Sequence, residues 1–577
     1  MIDARLLANG QTLSTKVCIV GAGAAGIAMA IEFIGTGIEV LLIEAGALSA
    51  ETETQSLYAG AVVDAGLHSP PDRYRQRRFG GSTTIWGGRC VPFDAIDFEA
   101  RTYMAESGWP FGLDTLEPYY ARASALCEIG RYSFDATDSL GATARPMLRG
   151  FASEHFSSER LERFSCPTDF GKRYHALIAN APNINVLLNA NLTDLQLNPS
   201  GTSVTRASTR TLTGKTLTIV ADHFVLATGG LEVARLLLSN DAVHRNGIGN
   251  AHDVVGRYYQ CHIAGTVGTL KLADADCVSH GYEMSEEGVY CRRRLSLNPH
   301  TQRALGVGNF VARLHHPRIT DPAHRTGSLS LLFLAKAFIP YEYGKRLHGE
   351  ERSTLRNWLR HIANLLSDPI GSCAFLLHWL RHHTLATRKF PSIIVRSKAN
   401  HYSLDFHAEQ EPNPHSRVTL DDTRDALGMR RLRIDWRYTR KDVETVSTAI
   451  ALLAEEFKRS GIGHFEYDPQ GLEFEMTRYG AYGGHHIGTA RMGVDPKTSV
   501  VDANCRVHGV DNLFIASSAT FPTSSQANPT LTIVALSLRL AEHLKQLCSR
   551  SQSHSDASPI PINDPGYDLE SVSRMKV

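Results

Sequence analysis

The chain opens with runs of consecutive apolar residues rather than strict alternation. Lys16 to Val20 (Val17, Ile19, Val20) and Glu39 to Ile43 each read as a short buried strand, and the small-residue stretch Ala24 to Gly35 between them predicts a helix. Residues 183–198 alternate apolar and polar and predict strands, followed by a hairpin-like region around Leu212 to Thr216. Phe224 to Ala227 is a second apolar run ending in Gly229 and Gly230, with a helix expected from Glu232 to Leu238.

From about residue 259 to 480 the texture changes. Strand-like runs (Ser328–Phe333, Ser392–Val395, Tyr402–His407) alternate with amphipathic helices, chiefly Thr354–Leu366 and Lys441–Ser460. The stretch Arg346–Lys389 is basic, with Trp358, Leu359, Ile362, Leu365 and Leu366 at helical spacing. The simpler reading is a helical insert packing over the second domain; the alternative is a membrane-surface or partner-docking device. Residues 549–577, polar and Pro/Ser-rich, are expected to form a disordered tail. The fold class expected is α/β in an α+β two-domain arrangement, with a Rossmann-like nucleotide domain and a domain built on a mixed or antiparallel sheet with helices.

The strand–helix turn carries the first chemistry. Gly21, Gly23 and Gly26 have G-x-G-x-x-G spacing. Gly21 permits the tight turn, Gly23 lets backbone approach a pyrophosphate, and Gly26 lets helix pack on strand. The helix N-terminus offers N–H groups to phosphate, and Glu44, at the end of the next strand, is placed to accept the ribose hydroxyls. An acid there argues against a 2′-phosphate and leaves FAD and NAD(H) open. A basic, Gly-rich loop follows from Arg73 to Arg89, where Gly80, Gly81, Gly87 and Gly88 bracket a Ser/Thr run suited to backbone passing a flat ligand.

Composition changes this picture little. The 577 residues allow two to four domains, and 60 Lys plus Arg against 59 Asp plus Glu give no reason to expect nucleic acid. The 10 cysteines contain no C-x-x-C pair, which points to free thiols in a reducing compartment. No metal constellation is expected, and His382 and His383 read as surface. Met1 to Thr15 lacks a secretory pattern and no run reaches membrane-spanning length, so a cytoplasmic protein without a transmembrane segment is expected.

Far downstream stand HHIGTARMG (His485 to Gly493) and NPTLT (Asn528 to Thr532). With GAGAAG and Glu44, with FGGST from Phe79 to Thr83, with ATGG from Ala227 to Gly230, and with Gln410 to Arg417, they make the chain resemble the glucose–methanol–choline (GMC) oxidoreductases over roughly residues 14–548. The resemblance implies an FAD-binding domain over 1–258 and 481–548, the latter returning with the catalytic pair, and a substrate domain over 259–480 with a helical insert near 346–389. It implies that His485 is the catalytic base, that Asn528 is its partner, and that an alcohol is oxidised to a carbonyl by hydride transfer to flavin N5. The NPTLT form and Trp86 suggest the pyranose oxidase and glycoside 3-dehydrogenase branch, hence a secondary hydroxyl of a sugar or glycoside. A small or aromatic alcohol, or a lyase with structural FAD, are the alternatives.

Cofactor contacts are expected from Gly21, Gly23, Ala25, Gly26, Glu44, Ala45, Gly80, Gly81, Ser82, Thr83, Trp86, Leu192, Ala227, Thr228, Gly229, Ala516, Asn528, Pro529 and Thr530. Gln410 and His486 are candidate substrate contacts, and Arg491 is expected either to compensate charge on the flavin or to pair internally. Pyranose oxidases carry a flavin-linked His before the Trp; Ile85 stands there, so FAD is expected to be non-covalent. The electron acceptor is not legible in these motifs.

Overall fold

The computed structural model describes residues 1–141, 144–274, 278–336, 354–478 and 480–555. Strand Thr12–Val20 pairs in parallel with Val40–Ile43 on one side and with Thr216–Leu226 on the other, so that Val20 stands level with Ile43 and Leu226. Val17, Cys18, Ile19, Leu42 and Ile43 are covered on both faces. Parallel strands are buried in this way, and that is why they read as unbroken apolar runs. Leu513–Ile515 returns from far along the chain to pair in parallel with Thr216–Leu226, with Ile515 opposite Leu226. Four strand ends therefore finish at one level, and Gly21, Glu44, Ala227 and Ala516 follow them. In open α/β sheets this edge is where ligands bind. The hairpin Asn191–Leu197 and Val204–Arg210 extends the same eight-stranded sheet with antiparallel pairing.

A second sheet of nine strands forms the other half. Its long strand Gln260–Leu272 pairs antiparallel with His401–Ala408, which in turn pairs with Phe310–His315. The short strand Tyr482–Ile487 lies against the beginning of Gln260–Leu272. That pairing brings residues more than 220 positions apart in sequence to one place: Gln260 opposite Ile487, and His262 alongside the strand that carries His485. Helix Arg440–Ser460 starts with a reciprocal cap between Thr439 and Asp442 and buries Val446, Ala449, Ile450, Leu453 and Phe457 against this sheet. Each sheet has its own apolar core, and the buried ion pair of Arg101 with Glu409, 2.6 Å, ties the segment after strand Arg89–Cys90 to the end of strand His401–Ala408.

Several local expectations are corrected. Ser328–Phe333 is part of the helix Gly327–Leu334, and Ser392–Val395 is not a strand. Runs of four to six apolar residues carry no period that separates a buried strand from a buried helix. The helix Leu355–Ser367 forms where expected, but it does not bury the expected face. His361 stacks on Phe333 at 3.9 Å and Asn364 bonds to Pro322 O, whereas Leu359, Ile362 and Leu366 face outward. Helix Thr530–Ser555 continues through 549–555 of the expected tail, because its register simply carries on from the packed part. Residues 346–353 of the expected insert and 556–577 of the tail lie outside the described residues. No helix of the described residues is long and apolar enough to cross a membrane.

Candidate active site

The four strand ends open into a cavity of about 560 Å³ that runs from the glycine turn to the second sheet. At one end, Gly21 has φ +105, and a Cβ there would lie 2.6 Å from Ala227 O, so only glycine fits between the strands. A Cβ on Gly26 would sit 1.9 Å from Gly21 O; helix and strand touch through bare backbone. Gly23 is different. Its side-chain direction is open, with Gly81 Cα the nearest atom at 4.0 Å, and both line the cavity. The helix Ala24–Glu32 begins at Gly23 with no side-chain cap, which leaves its first N–H groups available.

Glu44 lies in the cavity wall, accepting from Ala22 N at 2.8 Å and Gly46 N at 2.9 Å. Burial pushes its carboxyl above the usual range, against the pull of those N–H groups. Thr228 Oγ1, also on the wall, is buried with no partner. A backbone cradle closed by glycines, an uncapped helix start, a strand-end carboxylate and an orphaned hydroxyl fit a dinucleotide cofactor along this wall. Ala25, Ala45, Ser82, Thr83, Trp86, Leu192, Ala227, Gly229, Ala516, Pro529 and Thr530 line the same cavity. Gly26 and Gly80 do not; a Cβ on Gly80 would meet Gly171 N at 2.9 Å, so both serve packing behind the wall.

At the other end stand His485 and Asn528. Asn528 Nδ2 lies 3.2 Å from His485 Nε2, and His485 Nδ1 lies 2.8 Å from His262 Nδ1. His262 Nε2 is 3.2 Å from Ser524 O. A carbonyl can only accept, so His262 carries its proton on Nε2 and presents a lone pair at Nδ1. His485 must then donate from Nδ1, which leaves the lone pair on Nε2, where Asn528 and the cavity are. Burial, then His262 and Arg89, hold the His485 pKa well below its usual 6.5, so the ring is neutral.

The adjacent His486 takes part in a second chain. His68 Nδ1 donates to Ser69 O (2.6 Å), Tyr259 OH donates to His68 Nε2 (2.8 Å), and His486 Nδ1 donates to Tyr259 OH (2.6 Å). Cys261 Sγ also bonds to that hydroxyl at 3.3 Å. The ligating atoms of His68, Cys261 and His486 lie within 4.8 Å of one another, but the Tyr259 hydroxyl is already bonded to all three. His486 Nε2 is left buried with no partner, and its pKa is held well below 6.5, chiefly by burial.

Two expectations are overturned here and one is resolved. Gln410 does not face the cavity: its Oε1 accepts from Cys261 N and Trp436 Nε1, and its Nε2 donates to Arg437 O, so its amide is consumed by the fold. His383 is not simply surface; it lines the cavity and donates to Phe390 O at 2.8 Å. Arg491 pairs internally, with Glu106 at 3.2 Å and over the Tyr258 ring at 4.4 Å. Sequence reasoning passed over Arg89, Tyr282, Arg292 and His315, which line the cavity, and His262 behind His485. Arg89 follows the Gly87–Gly88 pair directly, a signal that was available. Arg292 and His315 sit on strands of the second sheet and have no motif around them.

The family model described as GMC oxidoreductase matches residues 412–537, and the pyridine nucleotide-disulphide oxidoreductase model matches residues 15–258. The fructose dehydrogenase large subunit of Gluconobacter japonicus is 24% identical, covering 92% of this chain and 98% of that one. The 6'''-hydroxyparomomycin C oxidase of Streptomyces lividus is 25% identical, covering 92% and 91%. Among solved structures, pyridoxine 4-oxidase from Mesorbium loti superposes with a TM-score of 0.54 at 17% identity, over 92% of this chain and 99% of that one, and so shares the fold.

Proposed function

This chain belongs to the GMC oxidoreductases, FAD-dependent enzymes acting on CH–OH groups, and we propose that it oxidises a secondary hydroxyl of a sugar or glycoside, with His485 as base and Asn528 as its positioning partner. The observation that carries this reading is the His485–Asn528 pair, 3.2 Å apart at the end of a cavity whose remaining wall is rich in polar groups. When bound, FAD supplies the two-electron acceptor for the carbon-bound hydrogen. His485 Nε2, neutral and carrying the lone pair, takes the hydroxyl proton. Asn528 Nδ2 donates to the same oxygen and fixes the carbon's approach. Arg89, Arg292, Tyr282, His315 and Lys389 line the cavity, a polar wall that suits a polyhydroxylated substrate more than an apolar alcohol. The names of the relatives, among them fructose dehydrogenase and an aminoglycoside oxidase, support the same class.

We further hold that FAD is retained without a covalent bond, since Ile85 before Trp86 has no nucleophile. The test is anaerobic mixing of the yellow protein with panels of glycosides, free sugars, and aryl or aliphatic alcohols while following oxidised-flavin absorbance. Bleaching by the sugar or glycoside panel alone supports the proposal. Bleaching only by simple alcohols moves the substrate class, and no bleaching with intact turnover of a carbonyl adduct identifies a lyase.

A further inference from the structure

The helical insert, which packs on the helix Gly327–Leu334, carries an apolar surface that belongs to no core. On the helix Leu355–Ser367, Leu355, Leu359, Ile362 and Leu366 recur at spacings of four, three and four and form one stripe. Leu355 is 77% exposed, Leu359 59% and Leu366 75%. The face turned to the protein is instead occupied by His361, stacked on Phe333 and bonded to Ser330 Oγ at 3.0 Å, by Asn364, and by Trp358 against Phe333. The inward face of this helix is thus a mixed one, His361 and Asn364 beside Trp358, and the four-residue apolar stripe is left outside. The next helix, Pro369–Trp379, turns Phe375 inward to a small apolar cluster and likewise leaves Ile370 (84% exposed), Leu376 and Leu377 outside.

Charge says what covers this surface. Between Thr354 and Leu404 the only carboxylate is Asp368, and it is buried, capping the second helix and paired with Lys398. Arg356 and Arg360 are exposed, about a hundred degrees round the helix from the leucine stripe, and Arg381 is exposed just after the second helix. Long basic side chains beside an apolar stripe reach headgroups while the stripe enters the acyl boundary. Two copies packed through this face would instead bring like-charged arginines together.

We infer that the helices Leu355–Ser367 and Pro369–Trp379 dock the protein on an anionic bilayer surface, lying in the interface plane without crossing it. The segment that follows them lines the cavity with His383 and with Lys389 to Ser392, so the docking helices are joined directly to the cavity wall. The inference is independent of the substrate assigned above.

The test is co-sedimentation of the FAD-loaded protein with vesicles of phosphatidylcholine, alone or with a third phosphatidylglycerol. The wild type is expected to pellet with the anionic vesicles, and the double variant Leu359→Asp/Leu366→Asp to bind at least about a hundredfold more weakly. Arg356→Ala/Arg360→Ala is expected to lose the preference for anionic over neutral vesicles. All four sites are exposed, so flavin absorbance and melting temperature should stay at wild-type values and report that the variants are folded. Wild-type protein that stays in the supernatant with every vesicle overturns the inference, as does binding that the Asp variant leaves unchanged. A dimer by light scattering that the Asp variant converts to monomer assigns the face to a second copy and overturns it as well.

Discussion

The carbonyl of Ser524 sets the protonation pattern of His485 through His262, and this can be tested by removing the middle member. In His262→Leu the His485 Nδ1–H loses its acceptor at 2.8 Å, while the apolar side chain keeps the buried site filled. A buried hydrogen bond between neutral groups is worth about 1 kcal/mol net, and an orphaned donor costs about 1–3 kcal/mol. The orphaned Nδ1 proton then favours moving to Nε2, where the lone pair is required, opposed only by the Asn528 Nδ2 donor 3.2 Å from that nitrogen. A bias of about 1.4 kcal/mol is tenfold in the population of the base-competent form, so the limiting rate of flavin bleaching should fall about tenfold. His262→Asn offers Oδ1 in place of the lost Nδ1 and should recover most of that loss.

The pH profile separates this from a packing defect. Burial is the main reason the His485 pKa lies low, and His262 is the next. A base loses activity as pH falls through its pKa, so the wild-type acid limb belongs well below 6.5. Without His262 that limb should move upward. Anaerobic stopped-flow with whichever alcohol bleaches the flavin gives rate and profile together. Equal rates and profiles for wild type and His262→Leu, or an Asn variant as slow as the Leu variant, would refute the reasoning.

Other outcomes follow from the same contacts. His485→Ala should keep bound yellow flavin yet bleach about 10²–10⁴-fold more slowly, the range of a lost general base, read in the same stopped-flow assay. Gly26→Ala forces a Cβ to 1.9 Å from Gly21 O, so the purified variant should retain little or no FAD by absorbance. Acid precipitation should release all flavin to the supernatant, and colour in the pellet would contradict the role given to Ile85. Arg101→Met leaves Glu409 buried and unpaired and should lower unfolding free energy by about 3–5 kcal/mol in urea titration. Burial lowers His68 and His262 to about 4 from 6.5, so below pH 6.5 the unfolded chain takes up protons that the folded one refuses. Each contributes a loss of about 1.4 kcal/mol per pH unit between 6.5 and 4. Glu162 and Glu232, held near 2 by arginines despite burial, act in the same direction only once pH passes below their ordinary 4.5. Asp97 and Asp442, pushed up by burial to about 8 and about 7, act in the opposite direction over the same range, so urea midpoints at pH 7.5 and 5.5 give the histidine share as the difference between wild type and a His68→Gln variant.

What could be read from the chain divides along physical lines. The nucleotide half was legible because its chemistry is local: a tight turn, a close approach and a strand-end acid each demand a particular residue at a fixed offset, so Gly21, Gly23, Gly26 and Glu44 announce themselves. His485 and Asn528 were legible for a similar reason, since each stands in its own dense motif. His262 was not. Its importance comes from lying beside the strand Tyr482–Ile487 and from the single carbonyl of Ser524, both more than 200 residues away, and no periodicity carries that pairing. Gln410 shows the converse failure, because a polar residue at the end of a motif was read as facing the site when its amide was needed to bind Cys261, Trp436 and Arg437. The insert shows a third kind. Its amphipathic period was read correctly as a helix, but a moment gives only an axis and not a sense, and the ordinary assumption that the apolar side turns inward was wrong for Leu359, Ile362 and Leu366. What decides the sense is the partner of the polar side. Here Phe333, Ser330 and Pro322 O were waiting for His361 and Asn364, which leaves the leucines for a surface that lies outside the chain.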